Sequence, residues 1–131
     1  MLAKIILWLS VVMLGLYGIS CFFNANLAAG YAGLAITNTD ARIEMIAMYG
    51  GVQIAVALFC LFGVLNPIRY QQPALLLLVL VFGGLALGRV YGLLTGSEGA
   101  GIYTHGALAY EVFSLLLAAF ALRQQSNPAA H

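Results

Sequence analysis

Four long apolar stretches dominate the pattern of hydrophobic and polar positions along the chain. They extend over residues 2–23, 41–65, 74–95 and 102–122. Each is about as long as the roughly 20 helical residues that cross the hydrocarbon core of a bilayer. None alternates between apolar and polar positions as a strand of a spanning barrel does. The pattern therefore predicts an all-α protein, an integral membrane four-helix bundle that forms one domain over residues 1–131, with Pro73 in the first turn of the third helix.

The segment between the first two stretches predicts a short additional helix. It covers residues 24–40, which is too long for a tight turn, and it carries Leu27, Tyr31 and Leu34 at spacings close to one helical turn. We expect these three side chains to form the apolar face of a short segment that lies at the membrane interface.

The composition indicates that lipid surrounds the helices. Of the 131 residues, 63% are hydrophobic and 7% are charged, whereas a soluble domain carries charged residues at about a quarter of its positions. The net charge of +1 and the lack of a basic run give no electrostatic basis for binding nucleic acid. The lipid bilayer is therefore the expected environment, and nucleic acid is not an expected partner.

Three basic residues predict the orientation of the helices. Lys4 lies near the start of the first span, Arg69 between the second and third spans, and Arg123 after the fourth. All three then fall on one side of the membrane. Cytoplasmic segments retain Lys and Arg during insertion, so both termini are predicted to be cytoplasmic, and Arg42 is expected near the outer face.

Three charged residues fall inside the predicted spans at a similar depth. Glu44 is near the start of the second span, Arg89 near the end of the third, and Glu111 several residues into the fourth. Because the second and fourth spans run inward and the third runs outward, all three are expected in the outer leaflet. A charge inside a membrane helix costs about 2.5–3.5 kcal/mol on insertion scales and is usually paired. We therefore predict that Arg89 lies between the two carboxylates.

Polar neighbours extend this cluster into a candidate ligand pocket. Tyr49 and Gln53 are four residues apart on one stripe of the second span, and Tyr110 precedes Glu111. The candidate ligand-binding residues are Glu44, Arg89, Glu111, Tyr49, Gln53 and Tyr110. A purely structural interpretation remains open, in which the charges fix the helix register and the tyrosines form an interfacial belt.

Glycines on the third span predict close helix packing. Gly84, Gly88 and Gly92 repeat every four residues, which is the small-xxx-small spacing that lets two membrane helices approach closely. The partner helix is either within this chain or in a second copy of it.

The sequence predicts no cofactor and no metal site. It contains two cysteines, Cys21 and Cys60, but no Cys-x-x-Cys pair, no cluster of His and Cys, and no dinucleotide-binding glycine fingerprint.

A family resemblance rests on the stretch from Arg42 to Gln53, which contains Glu44 and Tyr49-Gly50-Gly51, together with Arg89 and Glu111. It resembles a family of small bacterial four-helix membrane proteins known only as a domain of unknown function, and more distantly the DoxX-like membrane proteins. The resemblance covers nearly the whole chain. It implies the fold, a bacterial inner-membrane location, and Glu44 and Arg89 as signature positions, but no established reaction. DoxX-like proteins are associated with membrane redox chemistry and with accessory subunits.

The predicted function is that of an accessory or small-lipophile-binding protein of the bacterial inner (cytoplasmic) membrane. Lipid or quinone is the expected ligand, and either a larger membrane complex or a homo-oligomer is the expected assembly. One alternative is a membrane enzyme or a quinone-linked oxidoreductase component in which a carboxylate moves a proton. Another is a small proton-coupled transporter, which the lack of a detectable internal repeat disfavours unless the protein dimerises.

Overall fold

The computed structural model describes residues 1–96 and 99–126, and this part of the chain forms five helices. They are α1 (Leu2–Phe23), α2 (Ala25–Ala32), α3 (Thr39–Leu65), α4 (Pro67–Thr95) and α5 (Ile102–Ser126). All except α2 are long and apolar enough to cross a membrane. The predicted fold class, four spanning helices with a short segment between the first two, is confirmed.

The four long helices pack in the order α1, α3, α4 and α5, with each helix against the next. By contrast, α1 and α5 touch each other only sparsely where the bundle closes. Successive long helices run in opposite directions, so α2, the last turn of α4 and the first turn of α5 lie at one end of the bundle, which we call the α2 end. The chain start, the turn at Asn66 and the last turn of α5 lie at the opposite end.

The packed core occupies mainly the half of the bundle away from α2. Leu7, Cys60, Leu75 and Leu78 are fully buried there. A smaller cluster at the α2 end contains Cys21 together with alanines of α2. Both cysteines are free thiols. The larger core joins all four long helices, which leaves the looser α2 half available for a cavity.

Two glycines bring α1 and α3 into close contact. A Cβ atom at Gly18 would lie 2.9 Å from Cβ of Gln53, and one at Gly50 would lie 2.8 Å from Cα of Phe22. Real Cβ atoms essentially never approach other heavy atoms this closely. The two helices therefore depend on glycine at both positions, in the way that small residues permit close approach in membrane bundles.

The predicted packing glycines of α4 do not make such contacts within the chain. Apart from their own helix, Gly84, Gly88 and Gly92 have no described atom within 4 Å of an added Cβ. A partner helix inside this chain is therefore the wrong alternative. Packing of this stripe against a second copy stays a prediction.

The start of the third span differs from the prediction. Helix α4 begins at Pro67 and contains Pro73 in its interior, so Pro73 does not open it. Pro67 has the fixed φ that suits a first helical position, and the side chain of Asn66 accepts a hydrogen bond from the Arg69 amide at 3.4 Å. Pro73 lacks the amide that would bond the carbonyl four residues earlier, and its ring crowds that carbonyl. Helix α4 nevertheless includes the polar residues that precede the apolar stretch.

Helix α2 packs against the bundle through its alanines, and an interfacial face of Leu27, Tyr31 and Leu34 stays a prediction. Its buried residues are Ala25, Ala28 and Ala29, whereas Tyr31 and Leu34 are exposed. Small side chains let this short helix lie close to the bundle, which the larger residues would prevent.

The predicted break between the third and fourth spans includes residues 97 and 98, which lie outside the described residues.

Candidate functional site

An ion pair joins α4 to α5 in the α2 half of the bundle. Nε of Arg89 donates a hydrogen bond to Oε1 of Glu111 at 2.7 Å. The Glu111 side chain is 5% exposed and that of Arg89 is 26% exposed. A charge-assisted bond of this length is among the stronger hydrogen bonds in proteins. It uses one edge of the guanidinium and leaves its two terminal amino groups outside this bond.

The second carboxylate oxygen of Glu111 has no hydrogen-bond partner among the described residues. Its Oε2 atom is buried and makes no hydrogen bond with any described residue. Leaving a buried acceptor unsatisfied costs about 1–3 kcal/mol, and more for a charged group. Such atoms are rare in folded proteins and often mark a functional site.

A large cavity of about 540 Å³ adjoins this ion pair. All four long helices contribute to its wall, and residues of both core clusters take part. Its polar side chains are Tyr17, Tyr49, Gln53, Arg89, Tyr103, Tyr110 and Glu111. The remaining wall is apolar and consists of Met13, Leu14, Met48, Val52, Val81, Phe82, Leu85 and Ala107. An apolar chamber with a few convergent polar groups is the usual form of a small-molecule site.

An irregular turn of α3 supplies part of the cavity wall. Residues Ile46–Gly51 form a π-helical segment between two α-helical parts of α3, Thr39–Met45 and Val52–Leu65. Met48 and Tyr49 reach the cavity from this segment. π-Helical segments are rare and frequently occur at functional sites. The close approach of Gly50 to α1 lies in the same turn.

Two stacked tyrosine rings lie on one side of the Arg89 guanidinium at the α2 end. The guanidinium carbon of Arg89 lies 5.8 Å from the centroid of the Tyr103 ring, within the range of a cation–π contact. The Tyr103 ring stacks on Tyr31 of α2, with ring centroids 6.3 Å apart. Helix α2 therefore supports the cavity wall through Tyr31, a residue of the segment predicted to lie at the membrane interface.

Glu44 is not part of this arrangement. Its side chain is exposed and does not line the cavity, and among the described residues Arg89 pairs only with Glu111. The prediction that Arg89 lies between two carboxylates is therefore wrong. Glu44 precedes the π-helical segment and is exposed, whereas Tyr49 lies inside that segment and reaches the cavity. The prediction used only the depth of Glu44 along α3, whereas its side chain faces away from the cavity.

The structure brings together the other five predicted site residues. Arg89, Glu111, Tyr49, Gln53 and Tyr110 all line the large cavity. The prediction from the sequence omitted mainly the apolar side chains of the cavity wall, because they cannot be told apart from the other apolar residues of a membrane helix. Tyr103 and Tyr17 also line the cavity, in agreement with the position of both tyrosines in the predicted outer half of their spans.

The chemistry available at the site is that of binding and proton exchange. The ion pair offers donors on Arg89 and an acceptor on Glu111, and the tyrosines can do both. Among residues 1–96 and 99–126, no group of three or more His, Cys, Asp or Glu side chains is placed to hold a metal ion.

The match to a known protein family covers nearly the whole chain. The family model described as "Domain of unknown function (DUF4345)" matches residues 2–122, which include every residue of the cavity wall. No curated protein and no solved structure matches the chain. The extent of the family match shows that the chain belongs to the DUF4345 family.

Proposed function

We propose that this protein binds a small lipophilic molecule in the large cavity and acts as an accessory membrane protein rather than as a self-sufficient enzyme. The observation that carries the proposal is the buried Oε2 atom of Glu111, which has no partner among the described residues in the wall of a mainly apolar cavity. A ligand that donates a hydrogen bond there would remove the cost of the unsatisfied acceptor.

The position of the ion pair supports binding over a purely structural role. A charge pair that serves only to hold helices together is best packed on all sides with every polar atom satisfied. Here Arg89 and Glu111 instead line a cavity, and one carboxylate oxygen of Glu111 is buried without a partner among the described residues. Charged residues at membrane depth that adjoin a cavity are functional-site candidates by default.

The proposed location is the bacterial inner membrane, with both termini in the cytoplasm. The support is the distribution of Lys4, Arg69 and Arg123, which lie at the end of the bundle opposite α2. In this orientation the large cavity lies in the outer half of the membrane. A lipid or a quinone, both abundant in that membrane, would reach it from the bilayer.

A second candidate function is a component of a quinone-linked oxidoreductase. One observation favours it, since the free oxygen of Glu111 is a candidate proton acceptor within the wall of the cavity. In that case Glu111→Gln would leave ligand binding largely intact and stop turnover of the complex. In a pure binding protein, Glu111→Gln would weaken binding itself.

Native mass spectrometry tests the proposal on protein in nanodiscs prepared from bacterial membrane lipid. Wild type is compared with Arg89→Leu and Glu111→Gln, and Glu44→Gln serves as the matched control because Glu44 lies outside the cavity. We expect a retained small molecule in wild type and in Glu44→Gln, and its loss from Arg89→Leu that remains folded. A bare wild type, or equal retention in all four proteins, would contradict a binding role for the cavity.

A further inference from the structure

A small cavity of about 250 Å³ lies beside the large one. Its wall includes Ile6 and Ser10 of α1, Leu78 of α4, and Ser114 and Leu117 of α5. These residues lie between α1 and α5, the pair of long helices with sparse mutual contacts. Serine hydroxyls in membrane helices can bond the carbonyls of their own helix, so the two serines are compatible with an apolar occupant.

The two cavities share part of their walls. Met13, Phe82 and Tyr110 line both, so these side chains stand at the junction. The Phe82 and Tyr110 rings meet edge to face, with centroids 5.6 Å apart. Aromatic rings and a methionine can shift by rotamer changes to join the two spaces. When these side chains shift, the small cavity extends the large one along the bundle.

The combined space has a polar part and an apolar part. Arg89 and Tyr103 lie toward the α2 end, whereas Ile6 and Leu117 lie farther toward the opposite end. The distance along α5 from Tyr103 to Leu117 is roughly 21 Å at 1.5 Å per helical residue. A long, narrow space with polar groups at one end fits a linear amphiphile aligned with the helices.

The charges of the wall select an uncharged head group. Arg89 and Glu111 neutralise each other, and the remaining wall residues of both cavities are uncharged. An anionic head would leave a net negative charge in a medium of low dielectric constant, which is costly. A carbonyl oxygen can instead accept from the terminal amino groups of Arg89. A hydroxyl can donate to the buried Oε2 of Glu111 once the carboxylate turns toward the cavity.

We infer that the ligand is a single-chain amphiphile with an uncharged head that bears hydroxyl and carbonyl groups. The head lies at the Arg89–Glu111 pair, and the chain passes the Phe82–Tyr110 pair into the small cavity. This inference rests on the proposed binding function and adds the chemical class and the direction of the ligand.

The test uses three probes in phosphatidylcholine nanodiscs: a long-chain monoacylglycerol, a short-chain one, and the fatty acid with the same long chain. Ser10→Phe and Ser114→Phe place bulk in the small cavity from two different helices. Val12→Phe and Val112→Phe are the matched controls, since Val12 and Val112 are exposed on the same helices and line neither cavity. Bound probe is measured by native mass spectrometry over a range of probe concentrations.

We expect wild type to bind the long-chain monoacylglycerol more tightly than either other probe. Filling the small cavity should weaken binding of the long-chain probe about tenfold or more, because the added ring excludes the chain. Binding of the short-chain probe should change little, which also shows that the variants are folded. Both control variants should behave as wild type.

Each failure has a distinct meaning. Unchanged long-chain binding in both serine variants, with loss in Arg89→Leu, would overturn the placement of the chain and leave the proposed function standing. Tighter binding of the fatty acid would overturn the uncharged head. No binding of any probe to wild type, together with a bare protein in bacterial lipid, would overturn both the inference and the proposed function.

Discussion

Arg89 and Glu111 are joined by a single 2.7 Å hydrogen bond from Nε to Oε1, while the other oxygen of the same carboxylate is buried and unsatisfied among the described residues. The two oxygens of this carboxylate therefore have different surroundings. Oε1 links α5 to α4, whereas Oε2 is buried beside the cavity without a described partner. We expect Oε1 to contribute to the stability of the bundle, and the proposed function assigns Oε2 to ligand binding.

The coupling between Arg89 and Glu111 can be measured with a double-mutant cycle. Arg89→Leu and Glu111→Leu each leave one charge of the pair without its partner, so each should destabilise the protein by about 2 kcal/mol. The double variant removes both charges and should lose less than the sum of the two single losses. We expect a coupling free energy of about 1–3 kcal/mol, measured by unfolding in mixed micelles. Additive losses would show that the pair contributes no interaction in the membrane.

Glycine substitutions should distinguish the α1–α3 contact from the glycine stripe of α4. Gly18→Val forces a side chain against Gln53 and Ile54 and should destabilise the protein by about 1–3 kcal/mol. Gly88→Val meets no described atom within 4 Å and should change the unfolding free energy by less than about 0.5 kcal/mol.

The same Gly88→Val variant tests the predicted contact with a second copy. Light scattering of the solubilised protein gives its oligomeric mass. A fall in mass on Gly88→Val would show that the stripe packs between copies. An unchanged mass would remove that prediction.

The orientation can be tested by cysteine labelling in intact cells. In a background with Cys21→Ala and Cys60→Ala, single cysteines replace Lys4, Arg42 or Arg69, all three of which are exposed. A membrane-impermeant maleimide should label the cysteine at position 42 directly, and those at positions 4 and 69 only after the cells are permeabilised, because basic residues remain cytoplasmic. The opposite labelling pattern would reverse the proposed topology.

The outcome at α3 illustrates what can and cannot be predicted from the sequence. Depth along a helix follows from counting residues, so the sequence alone allows the levels of Glu44, Arg89 and Glu111 to be compared. Direction around the helix axis decides which groups meet. The direction of Glu44 relative to Tyr49 depends on the π-helical turn at Ile46–Gly51, which carries no clear signal in the sequence.

The four helices that can span a membrane, and the similar depth of Arg89 and Glu111 in it, could be predicted from the amino-acid sequence. Both follow from local properties, since a bilayer requires each apolar segment to satisfy its own backbone as a helix. Three features are visible only once the helices are packed. Glu111 pairs with Arg89, and two cavities lie between the helices. Gly18 and Gly50, rather than the glycine stripe of α4, allow the close contact of α1 with α3. These features depend on the rotation and separation of packed helices, which neighbouring side chains set together and no single segment specifies.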